Sequence, residues 1–139
     1  STFMESFDKG AYRQGNNINL AGISKYPMYL ISGADYGKQV VKAFENDNGN
    51  NEYVVQGQDS YIADDAAKLF ADNYKKAKIK VAKLPFGLLK FFGRLSKKFN
   101  YAANIVDTLN NYPEKFEAEK TWQDLGKPQT KFIDYIKTA

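Results

Sequence analysis

Three short β-rich runs, Tyr26–Ser32, Glu52–Gln56 and Ile79–Leu84, punctuate the chain, with stretches of helical periodicity between and after them. Runs of this length rich in Tyr, Val, Ile and Leu suit strands, and their alternation with helices points to an α/β arrangement. Pro27 falls at the start of the first run, where a missing N–H is tolerated. Ser32 or Asp35 can cap the helix that follows, with Tyr36, Val40, Val41 and Phe44 expected on its buried face. The Asn/Gly cluster Asn46–Asn51 ends that helix. Ser60 is the expected cap of the next one, whose inner face is Ile62, Ala66, Leu69, Phe70 and Tyr74. Asp64 and Asp65 suit the positive N-terminal end of its dipole, and Lys75, Lys76 and Lys78 suit the negative end. The expected class is therefore α/β: one small, parallel sheet of about three strands with helices, and a mainly helical C-terminal part.

After Pro85 the period becomes helical. Leu88, Phe92, Leu95, Phe99, Ala102, Val106 and Leu109 share one stripe over one or two helices, broken near Gly93 or Lys97–Asn100 and ending before Pro113. A last helix carries Phe132, Ile133 and Ile136 inward behind a Thr130 cap. The same region holds an uneven charge: nine cations and no acid lie between Asn73 and Val106, against 11 cations and 16 acids elsewhere. Three uses compete for Lys83–Phe99: core packing with a solvated cationic face, the wall of a ligand cavity, or an anionic membrane or partner surface. Core packing is the expectation, since an apolar helical stripe in a globular domain usually faces inward. The third use requires aromatic side chains exposed beside the cations.

With 139 residues, the chain is expected to form a single domain over 1–139. It has no cysteine and no histidine, so disulfides, thiolate or imidazole catalysis and the commonest metal ligands are excluded within it. No glycine-rich phosphate fingerprint occurs; Gly33 and Gly37 flank a strand–helix junction, but Asp35 and Tyr36 put charge and bulk where a pyrophosphate needs bare backbone. A Tyr-x-x-x-Lys at Tyr74–Lys78 is read as structural, because the Tyr completes an apolar helix face and the Lys falls past the helix end. The pairs Asp64/Asp65 and Glu117/Glu119 lack a second group to split their pKa values. No catalytic residue, cofactor-binding residue, cofactor or metal site is expected in this chain, nor a nucleic-acid or membrane partner. No apolar run reaches the roughly 20 residues of a spanning helix, and a cytoplasmic location is expected. A start on Ser1 within a partly apolar stretch is expected of an excised or processed fragment.

Ser1–Phe7 (STFMESF) resembles the "R-P-x-x-F-M-E-N-F" segment that leads out of the nucleotide domain in NmrA-like and epimerase-like atypical short-chain dehydrogenases. Tyr29–Phe44 is similar to that family's "I-S-x-x-D-I-A" strand-to-helix junction, and Tyr53–Tyr74 resembles its "Y-x-L-x-G-P-E-x-x-T-x-x-E-A-A" unit. Phe116–Thr130 looks like such a protein's C-terminus, so the resemblance spans most of the chain. The chain departs from the pattern at Ser1–Thr2, Ser6 and Asp35–Gly37. The resemblance implies a substrate-side C-terminal lobe, a partial fold without the Rossmann half. NAD(P) is then implied for the parent protein, with a separate N-terminal nucleotide-binding half and a small-molecule substrate as partners. Phe3, Met4 and Phe7 are expected at the seam with that half or at its ligand cleft; left uncovered, they would drive self-association or fold back onto the chain's own core. A nucleotide-sensing regulator of the NmrA kind and a self-standing anion- or membrane-surface module are the alternatives.

Overall fold

The computed structural model describes residues 1–46 and 49–139, and every side chain among them except those of Lys98 and Phe99. In chain order the elements are β1 (Thr2–Phe3), α1 (Glu5–Asp8), β2 (Arg13–Gln14), β3 (Asn17–Ala21), β4 (Met28–Ile31), α2 (Gly33–Glu45), β5 (Asp59–Tyr61), α3 (Ala63–Asn73), β6 (Lys80–Leu84), α4 (Phe86–Leu95), α5 (Lys97–Asn111), α6 (Glu119–Leu125) and α7 (Phe132–Thr138). The α/β class and the helical C-terminal part are as expected. The strands, however, divide into two small mixed sheets among the described residues, β1-β4-β5 and β2-β3-β6. The pairs β1/β4 and β3/β6 are parallel; β2/β3 and β4/β5 are antiparallel.

The second sheet begins in the β2–β3 hairpin, outside the three β-rich runs of the sequence. Gly15 opens the two-residue turn between Gln14 and Asn17 with φ +58°, a backbone state glycine adopts without a Cβ clash. That hairpin gives β6 a parallel partner in β3, so Lys80–Leu84 never joins β4. Glu52–Gln56 makes no strand ladder. Its polar backbone is satisfied by side chains instead: the Thr121 hydroxyl donates to Val54 O at 2.7 Å and the Trp122 indole to Gln56 O at 3.1 Å. The buried Gln56 carboxamide donates to Glu114 and to Lys115 O, and accepts from Glu117 N, each at 2.8 Å. Gly57 then passes against the β4 backbone so closely that a Cβ there would collide with the Leu30 carbonyl.

One apolar core joins both sheets to α1, α3 and α7. Phe7, Phe70 and Phe132 form its centre, with ring centroids 5.4–6.5 Å apart. Fully burying a side chain of this size contributes about 2–3 kcal/mol. Ile136 joins the cluster from α7, while Ile133 is half-buried and Lys131, not Thr130, holds the cap position. Ala66 and Phe70 face inward on α3 as the period predicts; Ile62, Leu69 and Tyr74 are half-buried, and Ser60 lies in β5 rather than at the cap.

Two helices reverse the expected orientation. In α2, Ser32 Oγ accepts from Asp35 N at 3.1 Å, the anticipated cap. Yet the buried face of α2 is polar: Asp35 and Gln39 hold the Gly126–Thr130 turn, and Tyr36, Val41 and Phe44 face outward, Phe44 at 84% exposure. Asp47 and Asn48, within the Asn46–Asn51 cluster expected to end this helix, lie outside the described residues. In α4 no residue is buried, and Leu88, Phe92 and Leu95 are exposed instead of packed in the core. The break falls at Ser96, and α4 turns back along α5. A helix whose main neighbour is a single other helix covers only one stripe, here the half-buried Leu89 and Gly93 side. On α5, Ala103 is buried while Ala102, Val106 and Leu109 are half-buried; Phe99 lies outside the described side chains.

Candidate functional site

The three residues expected at a seam separate. Met4 and Phe7 are fully buried in the chain's own core, whereas Phe3 stays 44% exposed, its ring edge-on to Tyr36 at 5.4 Å. Phe3 borders a shallow hollow of ≈ 420 Å³ with Glu5, Ser6 and Gly33. Glu5 Oε1 there accepts from Gly33 N at 2.9 Å, seating a carboxylate at the positive end of α2. The place a phosphate would take at that helix end is thus held by an anion.

A larger cleft of ≈ 580 Å³ opens where β3 and β6 end. Leu84, Pro85 and Phe86, leading from β6 into α4, form its apolar wall; Lys25, Lys83, Asn110 and Asn111 supply its polar groups. Gly22 N donates to Leu84 O at 3.0 Å, and Asn110 Nδ2 donates to Ala21 O at 2.9 Å, pinning the end of α5 to the end of β3. Gly22 adopts φ +74°, and a Cβ on it would stand 2.8 Å from Asn110 Nδ2. Lys25 Nζ donates to Asn111 Oδ1 at 3.2 Å, and Lys83 Nζ pairs with Asp64 at 2.6 Å. Among the described lining residues there is no carboxylate, hydroxyl, imidazole or thiol, so the wall can hold a ligand by charge, amide hydrogen bonds and apolar contact but offers no acid–base pair.

The motifs weighed in the sequence behave structurally. Tyr74 closes α3 in an extended conformation, stacked on Phe70 at 5.0 Å with the Arg13 guanidinium 4.6 Å from its ring. Lys78 lies beyond the helix, so the pair shares no helical face. Arg13 also pairs with the buried Asp8 at 3.1 Å. Asp35 is the most perturbed acid: burial raises its pKa, but the hydrogen bonds from Thr130 and Lys38, with the Lys38 charge, outweigh that and bring it down to about 2. Ionised and saturated, it serves as an anchor. Burial, followed by the charges of Glu5 and Asp8, pushes the Tyr135 phenol up. Among the described residues no acidic cluster could hold a metal, and no helix is long and apolar enough to cross a membrane.

Sequence reasoning had singled out Lys83–Phe99 as one option for a cavity wall, and Lys83–Phe86 do line the cleft. It missed Gly22, Lys25, Asn110 and Asn111, whose only signal is turn-forming composition far apart in sequence. Compared with protein-family models and with curated proteins, the chain matches none.

Proposed function

We propose that this chain is the substrate-binding lobe of an NAD(P)-dependent epimerase or reductase of the atypical short-chain dehydrogenase kind, and that the cleft between Gly22, Lys83 and Asn110 receives the substrate. The observation that carries the reading is the cleft itself: a volume within the usual range for small-molecule sites, an apolar wall, and two lysines and two asparagines in its lining without acid–base chemistry. Such a wall suits a small molecule with an apolar body and an anionic or hydroxylated end. The nucleotide and the reacting groups come from a separate N-terminal half, and the outward face of β1 and α2 (Phe3, Tyr36, Val41 and Phe44) is the surface that half would cover. Calorimetric titration with NADH and NADPH tests this. The 139-residue chain is expected to give no binding heat, and the polypeptide extended through its upstream coding sequence to bind in the micromolar range. Stoichiometric micromolar binding by the chain alone, or none by the extended polypeptide, overturns the proposal.

A further inference from the structure

The hairpin α4–α5 meets the requirement set above for an anionic surface. Leu88, Phe91, Phe92 and Leu95 are spaced i, i+3, i+4, i+7 and therefore share one helical face, and all four are exposed, Phe91 at 57% and Leu95 at 73%. Leu84, just before α4, is exposed as well. Lys90 and Arg94, one turn apart, lie on the opposite, polar side of the helix, about 110–150° around from the centre of that face, and are also exposed; Lys90 Nζ rests 4.7 Å from the Phe86 ring. Lys97 opens α5.

We propose that this face of α4 lies on an anionic lipid surface, with the apolar side chains entering the headgroup boundary while Lys90 and Arg94 on the polar face, with Lys97 at the start of α5, supply the attraction to the lipid charge. Charge complementarity selects the occupant. The 33 residues from Tyr74 to Val106 carry nine cations and no acid. Only Lys83 of that set has a carboxylate partner among the described ion pairs, Asp64. A second copy of the chain would bring like charge against like, whereas an anionic bilayer complements both the charge and the apolar stripe. With no helix able to cross a membrane among the described residues, the association is peripheral.

Co-sedimentation with phosphatidylcholine vesicles, with and without phosphatidylserine, at low and high salt, tests it. Binding is expected to the anionic vesicles alone and to fall at high salt. The double substitution Lys90→Glu/Arg94→Glu is expected to weaken it at least about ten-fold, since it replaces two cations that attract the anionic surface by two anions that it repels. Phe91→Ser/Leu95→Ser should weaken it at both salt concentrations. No binding by the unaltered chain, equal binding to neutral and anionic vesicles, or a salt-independent interaction overturns the proposal. So does a dimer in sedimentation velocity that Phe91→Ser/Leu95→Ser dissociates, because the face would then belong to a second copy.

Discussion

The Asp35 carboxylate accepts a hydrogen bond from the backbone N–H of Thr130 at 2.7 Å, across 95 residues of sequence. The same oxygen, Oδ2, accepts from Gln129 N at 3.0 Å, and Oδ1 pairs with Lys38 at 3.0 Å. One buried acid thereby ties the start of α2 to the turn before α7. Asp35→Ala leaves two backbone donors without their charged acceptor and is expected to cost about 2–3 kcal/mol, read as a lower urea midpoint with unchanged slope.

The same acid sets a pH dependence. Its folded pKa is depressed to about 2 from 3.8, so the unfolded chain binds the proton more readily. The stability it contributes is present above about pH 4 and is lost as pH falls toward 2. Between pH 5 and pH 2 the urea midpoint should fall more steeply for the unaltered chain than for Asp35→Ala; parallel curves would refute the assignment.

Gly57→Ala should be among the most damaging single-methyl additions in this chain. The added Cβ meets the Leu30 carbonyl on β4, backbone that cannot rotate away. A loss of about 3 kcal/mol is expected, together with faster amide exchange at Leu30 and Ile31.

Phe44→Ser tests the outward apolar face of α2. With the ring 84% exposed, the substitution should change stability by less than about 0.5 kcal/mol in this chain. Had the face been buried, as its period suggests, a loss of about 3–5 kcal/mol would follow. Thermal melts separate the two outcomes.

Gly22→Ala addresses the cleft. A φ of +74° costs an L-residue about 1–2 kcal/mol, and the new Cβ also crowds Asn110 Nδ2. The expected result is a stability loss of about 2 kcal/mol or more with faster exchange at the C-terminal end of α5, where Asn110 is pinned to Ala21.

Local features of the chain were readable from residues alone, because they depend on near neighbours. Ser32 caps α2 since its oxygen reaches a donor three residues on. The apolar period and short length of Met28–Ile31 and Lys80–Leu84 make them strands, and Ala66 and Phe70 fall on the inner face of α3 by spacing. The missing histidine and cysteine restrict the chemistry whatever the fold. Tertiary structure decided which strand meets which, and which helix face turns inward. Strand pairing is a choice among edges, and the Gly15 hairpin placed β3 beside β6, while Gln56, Thr121 and Trp122 satisfied the backbone that a ladder would have served. Periodicity says that a helix has an apolar stripe, not that something covers it. On α2 the polar stripe found long-range partners in Gly126, Gln129 and Thr130, and on α4 a single neighbouring helix could cover only one side, so both stripes remain at the surface.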